Sequence, residues 1–123
     1  MPLLPNDKDF LDNHNLDYEL HELPGETLLV IKDYQLSSMF NTEKTKVLIK
    51  IPNGYPMANL DMFWVYPHIK LRETNQYPQA ADQFQNYLNV SWQRFSRHYA
   101  WKPTYNLSKH LNVIKDVLVN GRG

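Results

Sequence analysis

Apolar and polar residues alternate through the first half of the chain in a way that predicts β-strands. Residues 18–23, Tyr-Glu-Leu-His-Glu-Leu, alternate with a period of two, and residues 27–32 form a run of mainly β-branched and aliphatic side chains. Pro24-Gly25 stands between them and is typical of a tight turn. Residues 47–51 and 62–65 predict two further strands. Because the strands follow one another closely, the pattern favours a four-stranded antiparallel meander over alternating strands and helices.

Helical signals appear at both ends of the chain. Asn6, followed by early acids, predicts a short helix that ends near residues 13–15. Near the other end, Asn106 can cap a longer helix, and Gly121 stands where a C-terminal cap belongs. The apolar side chains that share one face of this second helix are Leu107, Leu111, Ile114 and Leu118. That stripe predicts a C-terminal helix packed on one face of the sheet.

The region between the fourth strand and the last helix has weaker signals. Residues 70–79 are polar and predict a long surface loop, and residues 80–88 have modest helical character. Ser91 stands immediately before Trp-Gln-Arg-Phe, where it could cap a short helix. The expected fold is therefore α+β, a single domain over residues 1–123 in which a four-stranded meander packs on a C-terminal helix. Residues 122–123 are expected to be a frayed end.

Composition narrows the functional classes. The chain has 13 basic and 13 acidic residues, and this balance argues against nucleic acid or an anionic membrane as the main partner. No apolar run is long enough to span a bilayer, and the first residues lack the pattern of a signal peptide, so a cytoplasmic location is expected. With no cysteine, the chain as written has no disulfide, thiolate metal site or thioester. The five histidines lack metal-ligand spacing, and we expect neither metal nor cofactor.

One short segment, residues 91–103, combines large rings with groups that can transfer protons. Its three largest rings are more typical of core anchors than of a binding platform: Trp92, Phe95 and Trp101. A serine hydroxyl needs a neighbouring base, usually histidine, to act as a nucleophile. Ser96 lies two residues before His98, a spacing that gives a direct contact only outside a regular helix. Ser91 is the other candidate nucleophile, with His98 or His68 as its base.

Several segments, in their order along the chain, resemble ubiquitin-conjugating enzymes. Residues 51–56 and 62–69 are similar to the third strand, Tyr-Pro turn, fourth strand and His-Pro-Asn region of that superfamily. Residues 101–111 are similar to its Trp-x-Pro motif and following helix. The resemblance covers about residues 27–118. Within the superfamily, residues 92–98 most resemble a bacterial branch called prokaryotic family E.

The resemblance implies a role in bacterial conjugation of ubiquitin-like proteins. The partners that it implies are a ubiquitin-like protein, an activating enzyme and, in the same pathway, a JAB-type metalloprotease; a part in antiphage defence is a further expectation. The thioester-forming cysteine of the superfamily lies eight residues before the matching tryptophan, where this chain has Gln93. The asparagine of His-Pro-Asn is also missing, since Tyr66-Pro67-His68 offers only an imidazole. Lysine conjugation through a thioester is therefore not expected.

Three functions remain open at this point. In the first, Ser91 or Ser96, with His98, replaces the thiol and carries the modifier as an oxyester. In the second, the fold is catalytically inactive and binds a ubiquitin-like protein or an activating enzyme. The third and least favoured is single-stranded nucleic-acid binding, through aromatic rings interleaved with Arg72, Arg94 and Arg97.

Overall fold

The computed structural model describes residues 3–121 of the 123-residue chain. The expected frayed end at residues 122–123 lies outside the described residues. Residues 3–121 form two helices and six strands. In chain order they are α1 (Pro5–Asn13), β1 (Tyr18–Leu23), β2 (Glu26–Gln35), β3 (Lys44–Pro52), β4 (Phe63–Tyr66), β5 (Gln83–Tyr87), β6 (Val90–Phe95) and α2 (Leu107–Leu118).

The first four strands form the predicted antiparallel meander. β1 and β2 pair along their length, from Tyr18 opposite Ile31 to Leu23 opposite Glu26. Gly25 adopts a φ of +84° in the turn between them, a backbone region that favours glycine. β2 pairs with β3 and β3 with β4, both antiparallel. The four strands predicted from the alternation of residues 18–23 and from the three apolar runs are therefore confirmed, in the predicted order.

The sheet has six strands, so the expectation of four is wrong. Residues 83–95 form a β-hairpin instead of the helical segments expected there, and Ser91 is a strand residue rather than a helix cap. The turn consists of Leu88 and Asn89, whose φ values of 54° and 62° are those of a type I′ turn. A type I′ turn matches the right-handed twist of the flanking strands. Strand pairing across this turn outweighs the weak helical propensity of the segment.

The hairpin does not continue the meander in chain order. The strand order is β1-β2-β3-β4-β6-β5, so β6 lies inside the sheet beside β4, and β5 is at its edge. Phe63 at the start of β4 is paired with Phe95 at the end of β6. Their rings also stack in the core with centroids 4.8 Å apart. This register determines which residues meet at each end of the two strands.

The main core lies between one face of the sheet and the two helices. The predicted apolar stripe of α2 is confirmed, since Leu107, Leu111, Ile114 and Leu118 are all buried in it. From α1, Leu11 enters the same cluster. The opposite face of the sheet carries a smaller cluster to which neither helix contributes: Leu28, Val30, Leu48, Trp64 and Trp92.

The large rings of residues 91–103 are structural, as expected. Phe95 is completely buried in the main core, and Trp92 is buried in the smaller cluster. Trp101 is half-buried and donates from Nε1 to the carbonyl of Pro56 at 2.8 Å. The peptide bonds before Pro56 and Pro67 are both cis. Within residues 3–121, neither helix is long and apolar enough to cross a membrane.

Candidate functional site

Ser96 and His98 meet where the chain leaves the sheet at the end of β6. The backbone N–H of Ser96 donates to the carbonyl of Ala80 at 3.0 Å. Side chains two residues apart lie on the same side of an extended chain, and Ser96 Oγ is 3.1 Å from His98 Nε2. The contact that a helix would have prevented is therefore made, because this segment follows β6 and is not helical.

Asp61 completes the cluster from the segment that leads into β4, the strand paired with β6. It lies two residues before β4, and the pairing of Phe63 with Phe95 brings the two chain segments together. His98 Nδ1 is 2.9 Å from Asp61 Oδ1 and 3.1 Å from Oδ2. A carboxylate can only accept, so Nδ1 carries the proton and donates. In the neutral imidazole Nε2 then accepts, and the Ser96 hydroxyl donates to it. The order Asp61, His98, Ser96 is that of an acid, a base and a nucleophile.

The residue next to Asp61 has an unusual backbone conformation. Met62 has a φ of 58°, in the left-handed region that a residue with a side chain rarely adopts. Its N–H donates to the carbonyl of Arg97 at 3.2 Å, and its own carbonyl accepts from His110 Nε2 at 2.9 Å. These two bonds maintain the strained conformation and fix the backbone beside Asp61.

His110 connects α2 to this cluster and is completely buried. Its Nε2–H donates to Met62, while Nδ1 accepts from the hydroxyl of Tyr99 at 2.8 Å. Burial lowers the pKa of His110 to about 4, although the bond to Met62 and the charge of Asp61 act in the opposite direction. Burial also raises the pKa of Tyr99, and the charge of Asp61 adds to that effect. Both rings are therefore neutral near pH 7.

The site is open to solvent. The side chain of His98 is 65% exposed and that of Asp61 33% exposed. Solvent can therefore reach both the imidazole and the carboxylate. A hydrogen-bonded pair this exposed contributes little to stability.

Ser91 lies elsewhere. It is at the opposite end of β6, five residues from Ser96, which corresponds to roughly 16 Å along an extended strand. His68 does approach Ser91, but its Nε2 contacts the backbone carbonyl at 2.8 Å and not the hydroxyl. Among the hydrogen bonds of residues 3–121, none joins the Ser91 side chain to His68 or His98. Of the candidates named from the sequence, only Ser96 and His98 are brought together.

Gln93, at the position matching the cysteine of ubiquitin-conjugating enzymes, is completely buried. Its Oε1 accepts from the N–H of Ile69 at 2.7 Å, and its Nε2 donates to the carbonyls of Ile69 at 3.0 Å and Ala81 at 2.8 Å. The side chain thus fixes the loop after β4 and the segment before β5. This position is structural and offers no exposed reactive group.

Two of the three arginines considered for a nucleic-acid strip contact the protein's own backbone. Arg72 donates from Nε to the carbonyls of Ser38 and Phe40 at 3.0 and 3.1 Å. Arg97 donates from Nη1 to the carbonyl of Ser96 at 3.1 Å. These contacts direct both guanidinium groups toward the chain itself.

The fold is that of an α+β protein with an antiparallel sheet and a C-terminal helix, and the site is a hydrogen-bonded cluster of Ser96, His98 and Asp61 near the ends of two strands. The family model of prokaryotic E2 family E matches residues 3–120. The chain therefore belongs to prokaryotic E2 family E, an E2-like family of bacteria. No curated protein and no solved structure gives a significant match.

Sequence reasoning missed Asp61, Met62, Tyr99 and His110 as parts of this site. Asp61 lies immediately before the fourth predicted strand and outside the segments that carry the resemblance. Only the register of β4 against β6 places it beside His98. The local sequence favours a helix at residues 91–95, so it does not predict this strand pairing. The correct register would have been the one usable signal.

Proposed function

We propose that this protein carries or positions a ubiquitin-like protein in a bacterial conjugation pathway, with Ser96 holding the modifier's C-terminal acyl group as an oxyester. The observation that carries the proposal is the hydrogen-bonded series Ser96, His98 and Asp61. Membership of an E2-like family supports the pathway, because E2 proteins accept a modifier from an activating enzyme. A JAB-type metalloprotease in the same pathway and a part in antiphage defence belong to the proposal through the same resemblance. The cytoplasmic location expected from the sequence is also part of the proposal.

The acyl donor in this proposal is the modifier's C-terminus joined as a thioester to the activating enzyme. Ser96 Oγ attacks the carbonyl carbon while His98 Nε2 takes the hydroxyl proton. A new Oγ–C bond forms and the C–S bond breaks. The thiolate leaves, and it accepts from His98 the proton that came from Ser96. The products are a serine oxyester and the free thiol of the activating enzyme.

The exposed position of the site fits a donor of this size. With the His98 side chain 65% exposed, the donor protein has direct access, and it would itself cover the site and exclude water during transfer. An oxyester reacts with amines more slowly than a thioester. The proposal therefore expects slow onward transfer and an adduct that persists long enough to isolate.

One observation favours the second candidate, a catalytically inactive module that binds a ubiquitin-like protein or an activating enzyme. Gln93 occupies the matching position of the thiol and is engaged in three buried hydrogen bonds. A member of the fold that only binds its partners needs no reactive group there. The two functions differ in whether a covalent adduct forms.

The test combines the purified protein with its cognate modifier, the activating enzyme and ATP, followed by intact mass spectrometry. We expect an adduct that survives thiol reductant, is cleaved by hydroxylamine or mild alkali, and maps to Ser96. Ser96→Ala should abolish it. Ser91→Ala is the matched control and should leave it intact.

Two results would overturn the oxyester. One is an adduct that persists in Ser96→Ala. The other is the absence of any adduct while the Ser91→Ala, Ser96→Ala double variant keeps pathway activity, which would establish the binding module instead. Ser96→Cys adds a positive check, since its adduct should become sensitive to thiol reductant.

A further inference from the structure

We propose that Asp61 is the positioning residue of this site: its carboxylate keeps His98 in the Nδ1–H tautomer and so leaves Nε2 free to take the Ser96 proton. The consequence for acyl transfer rests on the proposed function, whereas the tautomer can be measured on the protein alone. Asp61 itself would touch neither the modifier nor the reacting atoms.

The contact geometry supports this role. Both carboxylate oxygens of Asp61 lie within hydrogen-bond distance of His98 Nδ1, at 2.9 and 3.1 Å. A neutral imidazole has one N–H, and the bond made by one ring nitrogen decides the state of the other. With the proton on Nδ1, the lone pair of Nε2 faces Ser96 Oγ at 3.1 Å. In the other tautomer Nε2 would donate to the hydroxyl and could not remove its proton.

The backbone next to Asp61 is built to hold that carboxylate in place. Met62 keeps a left-handed conformation, with a φ of 58°, which is unfavourable for a residue with a side chain. Its N–H is bonded to Arg97, one residue before His98. Its carbonyl is bonded to buried His110 of α2. Backbone hydrogen bonds therefore hold the segments of Asp61 and His98 together, and His110 attaches them to the core through α2.

A purely structural ion pair would predict something different. The side chains of His98 and Asp61 are 65% and 33% exposed, and a pair this exposed adds little to stability, so stability alone does not explain the contact. If the pair were only structural, Asp61→Asn would leave the His98 tautomer unchanged. Asp61→Glu would then not restore any rate of adduct formation that Asp61→Asn had lowered.

The first measurement is the tautomer of His98, from long-range ¹H–¹⁵N correlation spectra of histidine-labelled protein at about pH 8, where an ordinary imidazole is neutral. We expect wild type to show Nδ1–H. In Asp61→Asn the amide can donate as well as accept, and we expect the population to move to Nε2–H. Asp61→Glu should restore Nδ1–H. Asp9→Asn, the same change at an exposed position of α1, should have no effect.

The second measurement is the rate of adduct formation. We expect Asp61→Asn to slow it by roughly 100-fold or more, the scale of general base catalysis, and Asp61→Glu to recover most of the rate. An unchanged His98 tautomer in Asp61→Asn overturns the inference even when Ser96→Ala abolishes the adduct. A tautomer that moves as expected confirms the positioning by Asp61 even where the proposed function is rejected, because wild type forms no adduct and the Ser91→Ala, Ser96→Ala double variant keeps pathway activity. The two failures are therefore separable.

Discussion

The side-chain amide of Gln93 bonds both backbone groups of Ile69. Oε1 accepts from the N–H at 2.7 Å, and Nε2 donates to the carbonyl at 3.0 Å while also donating to Ala81. This two-point contact across 24 positions of sequence joins β6 to the loop after β4. A thiol could form none of these bonds with comparable strength, so a cysteine could not replace Gln93 in this contact.

Placing a cysteine at position 93 should therefore not create a thioester site. Gln93→Cys leaves three buried backbone groups without their partner, and each such group costs about 1–3 kcal/mol, so we expect the free energy of unfolding to fall by at least about 2 kcal/mol. Chemical denaturation measures the loss, and a thiol reagent measures access. Gln83→Cys, at an exposed position of β5, is the control and should be stable and reactive. A stable, reactive Gln93→Cys would contradict the structural role.

Substitutions at the candidate site should have little effect on the stability of the fold. Ser96→Ala and His98→Ala each remove an exposed hydrogen bond, and we expect either to change the free energy of unfolding by less than about 1 kcal/mol. Urea denaturation of the two variants beside wild type measures this. A loss of several kcal/mol would mean that His98 supports the fold, and that any loss of activity in the variants reflects unfolding.

The elements with strong periodicity were predictable from the sequence. The apolar stripe of α2 fits only a helix, and the alternation of β1 fits only a strand. The tertiary structure agrees with both patterns. The hairpin of residues 83–95 was missed for two reasons. Its turn, Leu88-Asn89, lacks the glycine that usually marks a type I′ turn, and the serine before Trp92 resembles a helix cap.

The site was predictable only in part, for a related reason. Ser96 and His98 are close in sequence, so their residue types were enough to suggest the pair. Asp61 is 37 positions from His98, and only the sheet register brings them together. His110 was placed on the correct helix, but no pattern indicates that its ring is buried and bonded to Met62. Long-range polar contacts of this kind depend on the tertiary structure and leave no local signal.

Asp7 should be the main polar link between the two helices. Its buried carboxylate accepts from the N–H of Leu4 at 2.9 Å, the N–H of Leu107 at 3.2 Å and the hydroxyl of Tyr55 at 2.7 Å. Burial and this neighbouring carboxylate raise the pKa of Tyr55, so the phenol stays a donor near neutral pH. These contacts connect α1, the first residue of α2 and the turn after β3.

Tyr55→Phe removes one donor and leaves the carboxylate with the two backbone groups. Hydrogen bonds to charged groups are worth about 1.5–3 kcal/mol, and we expect a loss of stability in that range by chemical denaturation. Tyr66→Phe, at an exposed position of β4, is the matched control and should change stability little. Equal effects of the two substitutions would show that the bond to Asp7 contributes nothing net.

Buried His110 should make stability depend on pH in the mildly acidic range. Its pKa falls from an ordinary value of 6.5 to about 4 in the folded protein, mainly because burial disfavours the charged ring. The groups that face it are the hydroxyl of Tyr99, the carbonyl of Met62 and, nearby, the charge of Asp61. Between the two pKa values the unfolded chain binds a proton that the folded protein does not. The stabilisation is therefore complete above pH 6.5 and is lost as the pH falls toward about 4.

One pKa unit corresponds to about 1.4 kcal/mol, so His110 accounts for up to about 3 kcal/mol of lost stability across this range. In His110→Gln that contribution disappears. The variant should be less stable than wild type near neutral pH by about 1–3 kcal/mol, because Gln cannot satisfy both Met62 and Tyr99, and the gap should narrow as the pH is lowered. Urea denaturation in steps from about pH 7.5 to about pH 4.5 measures the gap, and effects common to both proteins cancel in the difference. His14→Gln, the same change at an exposed position, should run parallel to wild type. A His110→Gln curve that also stays parallel would show that the ring is not held neutral by burial.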